Sequence, residues 1–463
     1  MKNILILLLC GACSGCAVVR SADPFLPVHP PAGVSSAVAQ PESPTESPEG
    51  AMTLQQAVRL ALANNPEIAA RRWDVAASEA RRDRASGERL PRLGVAGDYY
   101  HHLDEQRILP VGAPGDPSIL SRDILSADLV LSMPLFTAGR LINRVRAADL
   151  LRRAAEQQLA RTREELVFNV TSVFNSIIAQ HHVIESLEFS GRTLKEHARR
   201  IDALIAAQKA APVDRMRTEV RLADIEQQLV REKSLRSIQR RALANLLGLT
   251  DLDPETSLQG DLEMEEGTPL PSLEAAFSTA WESRGDYLAA RYSLEAQTKN
   301  VDVARSGRWP TLSLQGAYGG RWAAGPTTGT GDEQGDVGRV GLVLDVPLFE
   351  GGQVNADIRE QRADLAAAQE RLRRLELQVR LEVETALLNV KSSRERAASI
   401  RKSIEQARES LRIEQQKYSL GKGAVVDVLD AQAALLESET TYYRVLAEYH
   451  TAVAHLKLAM GTE

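Results

Sequence analysis

The sequence contains no apolar run of the ~18–20 residues that a membrane-spanning helix requires. Aromatic residues make up only 4% of the chain, and its net charge of −6 comes without a basic block. Without a basic block there is no electrostatic basis for binding nucleic acid, so we predict no nucleic acid partner. If the chain enters a membrane, strands must carry it there.

Cysteine is confined to positions 10, 13 and 16, so the mature chain can form no internal disulfide bond. Upstream, Lys2 and the apolar run 4–9 form a pattern typical of a secretory signal. The following residues, 11–16, resemble the attachment site of bacterial lipoproteins, which implies an acylated first residue. Cys16 fits that site best, and Cys13 is the alternative.

We therefore assign residues 1–16 to a lipoprotein signal region that is cleaved before Cys16. By the same resemblance, Ala17 after the cysteine favours sorting to the outer membrane. Residues 17–50 are rich in proline, serine and glutamate and have little to bury, so they predict an extended tether.

Signatures of catalysis are missing as well. The chain has no P-loop, nucleophile elbow or zinc-site spacing. Two adjacent histidine pairs, 101–102 and 181–182, are poorly spaced for chelating one metal ion on a regular element. Asp427 and Asp430 lack the positioned partner that a glycosidase pair would need. We predict that the protein is not an enzyme and uses neither cofactor nor metal.

What the chain does contain is an internal duplication. The segment Ala127–Gly139 recurs as Val340–Gly352, and the prolines of the two Pro-Leu-Phe sequences are 213 residues apart (347 − 134). Apolar and polar residues alternate up to each proline, which is typical of a strand with one apolar face. A long helical pattern follows each copy. The sequence thus predicts a first repeat at 51–250, a linker at 251–272 and a second repeat at 273–463.

Each repeat contains two predicted strands, at about 92–101 and 124–134 and at about 311–322 and 337–347. Each is long enough for a tilted strand to cross a bilayer. Aromatic residues lie at both ends, as in the girdles of outer membrane barrels, although a soluble hairpin has similar cross-strand pairs. These residues are Tyr99, Tyr100, Tyr318 and Trp322 at the loop end and Phe136 and Phe349 at the other.

The helical tract after the second Pro-Leu-Phe, 353–420, contains neither glycine nor proline. Its apolar residues recur at coiled-coil spacing, and a helix of that length would extend about 100 Å. Turns then start return helices in both repeats. Strands in lipid must belong to a closed sheet, and four are too few to close one. Several chains must therefore share one barrel.

Together these features resemble the TolC-type outer membrane efflux proteins. The resemblance covers 52–461 and is carried by Ala61–Glu67, by both Pro-Leu-Phe turns and above all by Tyr418–Ala431. It implies a mainly α fold with a transmembrane β-barrel part. In that fold a homotrimer forms a twelve-stranded barrel on a long α-helical coiled-coil tunnel. It also implies an outer membrane channel that contacts a periplasmic adaptor and an inner-membrane pump and passes cargo without chemistry.

The same resemblance assigns a periplasmic gate. Asp427 and Asp430 are three residues apart on a helix and would form a constriction that favours cations. Tyr418 matches a tyrosine in the closing hydrogen-bond network, and Asp214 matches the acidic position of the first repeat.

The gate also departs from the family pattern. Glycine stands at 423, where the family has an arginine, and valine at 213 replaces a hydroxyl partner. Lys422 or Arg215 is then left as the cation of the network. Two other functions remain open. One is the outer membrane component of type I protein secretion. The other, from a different class, is a periplasmic coiled-coil adaptor or scaffold.

Overall fold

The computed structural model describes residues 50–110, 118–208, 210–253, 256–264, 269–331 and 334–462. The predicted signal region, with Cys16 and Cys13, and the tether up to residue 49 lie outside these described residues. Within the described ranges, none of the helices combines the length and apolarity that would let it cross a membrane.

Each half of the chain has two short helices, a pair of long strands and two long helices. The first half contains β1 Ala51–Thr53, α1 Leu54–Asn64, α2 Pro66–Gly87, β2 Arg92–Arg107, β3 Ile119–Phe136, α3 Arg140–Ala206 and α4 Pro212–Leu246. The second contains β4 Ser257–Gln259, α5 Leu273–Ser283, α6 Gly285–Ser306, β5 Thr311–Ala323, β6 Thr327–Gly329, β7 Gln334–Asp345, α7 Gln353–Ser419 and α8 Val425–Met460. The repeated order of elements follows the duplication in the sequence.

The longest elements, α3 and α7, have 67 residues each and extend about 100 Å. Both begin directly after a glycine in the left-handed region, Gly139 with φ 82° and Gly352 with φ 83°. Glycine adopts this conformation without steric cost, so it lets the chain turn from strand into helix. The two glycines are 213 residues apart (352 − 139), the spacing of the sequence duplication.

The four long strands form one antiparallel sheet in the order β2-β3-β5-β7, and the short strand β6 pairs with β3. β2 and β3 have 16 and 18 residues, more than the 13 and 12 of β5 and β7. β2 and β3 remain paired beyond a register shift between His101 and Gln106, as far as Arg107 and Leu120. The first hairpin is therefore longer than the second.

The register places the apolar residues of the four strands in common rows. One row joins Leu93, Leu131, Gly316 and Val340, and the next joins Val95, Leu129, Tyr318 and Gly338. Neighbours in a row share a face of the sheet. This face is exposed in the single chain, with Val95 at 80% and Val340 at 77% exposure. The apolar alternation in the sequence thus becomes one continuous apolar surface.

The long helices form a layer in the order α4-α3-α8-α7. α3 packs on α4 and α8, and α8 packs on α7. The short helices cover this layer, with α2 and α6 against α3, and α6 also against α7. The largest buried cluster lies where α1, α3 and α8 meet and includes Val170, Phe174 and Leu446.

In each half, the side chain of the residue before a short helix, α2 or α6, donates a hydrogen bond to the C-terminal end of a return helix, α4 or α8. In the first half, Asn65 Nδ2 donates to the carbonyl oxygen of Leu246 at 2.9 Å. In the second, Arg284 Nη1 donates to the carbonyl oxygen of Ala459 at 3.3 Å. The two carbonyl residues are 213 apart (459 − 246). Each of these hydrogen bonds satisfies a backbone carbonyl group that would otherwise be unpaired at the end of a long helix. The donor is a neutral amide in one repeat and a buried cation in the other.

Candidate functional site

The end of the helix layer farthest from the sheet contains two turns, one between α3 and α4 and one between α7 and α8. Pro212 opens α4 at a position where its missing N–H is not needed. The second turn contains Gly421, in the left-handed region with φ 70°. The residues with a predicted gate role all lie at or beside these two turns.

Asp427 and Asp430 lie in the first two turns of α8. Both are exposed, whereas the intervening Val428 and Leu429 are buried. Asp427 Oδ2 accepts a hydrogen bond from the backbone N–H of Ala424 at 3.2 Å, which fixes its carboxylate at the helix N-terminus. Among the described residues neither acid has an ion-pair partner. The two carboxylates thus face solvent together.

Tyr418 lies one residue before the end of α7 and is partly buried. Its ring centroid is 5.5 Å from that of His197 on α3. Burial raises the pKa of the Tyr418 phenol, the nearby Asp214 carboxylate raises it further, and Arg200 lowers it. The structure therefore brings Tyr418 close to Asp214, two residues that the sequence paired only through family resemblance.

Asp214 occupies the first turn of α4, and its carboxylate is 3.9 Å from Arg217. Arg215, one of the two cations considered for the network, points elsewhere: it contacts Asp202 and Glu219, each at 2.9 Å. Lys422, the other, is exposed in the turn. Within one subunit, therefore, Arg215 already has two carboxylate partners other than Asp214.

His197 was not identified from the sequence. Its Nε2 atom is buried, and none of the described residues provides it with a hydrogen-bond partner. Burial lowers the pKa of this imidazole, and the charge of Arg200 lowers it further. An isolated histidine on a long helix carries no sequence pattern that could have revealed this contact.

Above the turns, a buried acid joins three helices. Glu232 on α4 accepts a hydrogen bond from Gln180 of α3 at 2.6 Å and one from Arg444 of α8 at 3.0 Å. A cleft of about 620 Å³ lies beside it and is lined by residues of α3, α4, α7 and α8. Polar side chains in its lining include Ser172, Ser176, Asn389, Ser392 and Thr451. One face of the helix layer therefore suits contact with water.

The sheet has a corresponding polar face. Asp98, Ser126 and Arg321 occupy one row of it, and Arg92 and Ser132 pair in another. Since these residues alternate with the apolar rows, one face of the sheet suits lipid and the other suits water.

Both layers end in unpaired edges. Among the described strands, β2 and β7 each pair on one side only. At the edges of the helix layer, α4 and α7 expose apolar residues at coiled-coil spacing. They are Val213, Met216, Val220 and Val230 on α4 and Leu377, Leu381 and Leu388 on α7. We call these two sets the edge seams.

Across the described ranges, no group of three or more histidine, cysteine, aspartate or glutamate side chains has a geometry that could hold a metal ion. His181 and His182 both contact Glu185, at 3.5 and 3.0 Å. Both histidines therefore contact one carboxylate on the same helix.

Comparison with known proteins gives consistent matches. A family model described as outer membrane efflux protein matches residues 57–249 and 276–462. The outer membrane protein TolC of Escherichia coli K12 is 23% identical over 425 residues, covering 89% of this chain and 83% of that protein. The cobalt-zinc-cadmium resistance protein CzcC of Cupriavidus metallidurans is 26% identical over 340 residues, covering 72% and 76%.

A solved structure described as the outer-membrane channel OprN superposes with a TM-score of 0.74 at 22% identity. The superposition covers 95% of this chain and 98% of that one. At this identity the match supports the fold, including the mainly helical architecture with a strand-built part.

Proposed function

Because the chain belongs to the outer membrane efflux protein family, we propose that it is the outer membrane channel of a tripartite efflux system. It acts as a passive exit duct for substrates that an inner-membrane pump and a periplasmic adaptor deliver. The observation that carries this function is the two-faced sheet, apolar on one side and charged on the other, with an unpaired edge at each end. The domain organisation follows, with repeats at 51–250 and 273–463 and a linker at 251–272.

The unpaired edges call for more than one copy of the chain. Backbone groups on β2 and β7 would be unsatisfied in lipid unless another strand pairs with them. Three copies would supply twelve strands and close the barrel, as the family resemblance implies. The helix layer supports the same closure, since α4 and α7 are its outermost helices and both expose an edge seam.

We predict that a charge in an edge seam blocks assembly without unfolding the subunit. Leu381 is 66% exposed in the single chain, so Leu381→Glu leaves the fold intact. In the assembled ring it would bury a carboxylate, at a cost of about 2 kcal/mol or more at each interface. Sedimentation in detergent should then show monomers in place of trimers.

The matched control is Phe189→Glu, because Phe189 is 64% exposed on α3, which lies between α4 and α8 in the helix layer and belongs to neither edge seam. It should assemble like the unmodified chain. Leu381→Glu that still forms trimers would show that the edge seams do not meet.

The periplasmic turns form the gate in this proposal. Asp427 and Asp430 from three subunits would put six carboxylates around the axis, which favours cations and resists closing. Tyr418 and Asp214 belong to the contacts that hold the turns together. Their proximity within one subunit supports this role.

Lipid attachment at Cys16 completes the proposal, with outer membrane lipid as a further partner. We predict that Cys16→Ser removes the acyl groups, which intact-mass measurement of the mature protein would detect. The matched control is Cys13→Ser, which should leave the mass of the mature acylated chain unchanged. The opposite pattern would assign the lipid to Cys13.

A further inference from the structure

The contact between His197 and Tyr418 joins two helices that are not packing neighbours. Along the helix layer α8 lies between α3 and α7, yet at the turns the last residues of α7 reach across to α3. The ring planes are inclined at 56°. A contact of this kind depends on the position of the turn and must break if the turn swings away from α3.

The surroundings of His197 favour its neutral ring over the imidazolium. Its Nε2 is buried and has no hydrogen-bond partner among the described residues. A neutral ring that keeps its proton on Nδ1 leaves Nε2 without an N–H, whereas an imidazolium carries an N–H on both nitrogens, so protonation would leave a buried donor unpaired.

The charged groups near the contact come from three helices. Arg200 on α3 lies close enough to lower the pKa of His197, in addition to the lowering by burial. Asp214 on α4 lies near enough to Tyr418 to raise its pKa. From α8, Asp427 and Asp430 reach the same end of the layer but face solvent. The charge that lowers the pKa of His197 is thus positive, and it opposes a second positive charge on the imidazole.

We propose that the His197–Tyr418 contact holds the periplasmic gate closed and that protonation of His197 releases it, so that the channel opens as the pH falls. This inference rests on the proposed channel function and adds the regulation of its gate. His197 is a positioning residue, because it acts through Tyr418 and the end of α7 rather than on cargo.

The direction of the pH dependence follows from the two states of the gate. In the closed gate the pKa of His197 is lowered from 6.5, and on release it returns toward that ordinary value. The closed state is therefore fully favoured above about pH 6.5 and loses this preference as the pH falls toward the lowered pKa. Each unit by which the pKa is lowered corresponds to a change of about tenfold in the closing equilibrium.

The test is single-channel recording of the full protein in planar bilayers at about pH 7.5 and about pH 5. The unmodified channel should show a severalfold higher open probability in acid. His197→Phe keeps a ring against Tyr418 but cannot be protonated, so it should stay closed at both pH values. Tyr418→Ala removes the contact and should be open at both.

His182→Phe is the matched control, because His182 lies on the same helix and stacks on Tyr443 with centroids 4.7 Å apart. It should keep the acid response. An acid response that survives in His197→Phe, or that disappears in both variants, would overturn the inference.

The same recordings distinguish a failure of the proposed role of His197 from a failure of the proposed channel function. A protein that conducts and is blocked by a trivalent cation, but does not respond to acid, overturns the role of His197 alone. A protein that forms no conducting pore overturns both. Trimer content on gels shows whether each variant has folded.

Discussion

Replacing both Asp427 and Asp430 by alanine is expected to raise single-channel conductance and to weaken block by a trivalent cation by on the order of 100-fold. Both carboxylates face solvent at the end of the helix layer, with no ion-pair partner among the described residues. Six of them would surround the axis of a trimer. Even about 0.5 kcal/mol from each exposed acid sums to about 3 kcal/mol, or about two powers of ten in affinity.

Two other acids provide a control with the same spacing and the same change of charge. Asp357 and Glu360 are three residues apart and exposed, but they lie at the opposite end of α7, next to the sheet. Replacing both by alanine should leave cation block nearly unchanged. Equal effects of the two double substitutions would mean that net charge, rather than a ring at the turns, determines block.

The second large effect is on stability. Arg284→Met is expected to lower the free energy of unfolding by about 3–5 kcal/mol, because it leaves two acids without their cation. The Arg284 side chain is 1% exposed and contacts Asp286 at 2.8 Å, Glu382 and the carbonyl oxygen of Ala459. Burial alone would raise the pKa of Asp286, but the hydrogen bonds and charge of Arg284 outweigh burial and lower it.

The first repeat provides the comparison within the same chain. Asn65 makes the equivalent bond to Leu246 without a charge, so Asn65→Ala should cost only about 1–2 kcal/mol. Denaturant titration followed by circular dichroism measures both values. If Arg284→Met and Asn65→Ala lowered the free energy of unfolding by similar amounts, removing the buried cation would carry no extra cost, contrary to the prediction.

The pH dependence of unfolding gives a separate check. A lowered carboxylate pKa stabilises the fold above the ordinary value of 3.8, and this contribution is lost as the pH falls through the lowered value. Neutralising Arg284 together with its two carboxylate partners, by Arg284→Met, Asp286→Asn and Glu382→Gln, should recover most of the loss and weaken this acid sensitivity.

The duplication made much of the fold predictable. The fold class inferred from alternating strands and long helical tracts is confirmed, because periodicity reports directly which face of an element is apolar. Gly139 and Gly352 occupy the same position in the two halves, each in the left-handed region directly before a 67-residue helix. The structure also adds elements that the sequence did not indicate, such as the parallel pairing of β1 with β4.

Contacts between distant segments could not be predicted. Asn65 and Arg284 fill equivalent positions but share neither size nor charge, so no sequence pattern links them. His197 and Tyr418 are 221 residues apart (418 − 197), and helical periodicity does not reveal which helices meet at a turn. The roles of Asp427, Asp430, Tyr418, Asp214 and Cys16 stay predictions that the experiments above address.

The most direct test of the account is the mass of the purified protein in lipid nanodiscs, measured by native mass spectrometry. Since one chain presents four long strands with an unpaired edge on either side, we predict a particle of three chains. A particle that contains a single chain in lipid would contradict the shared barrel and with it the proposed duct.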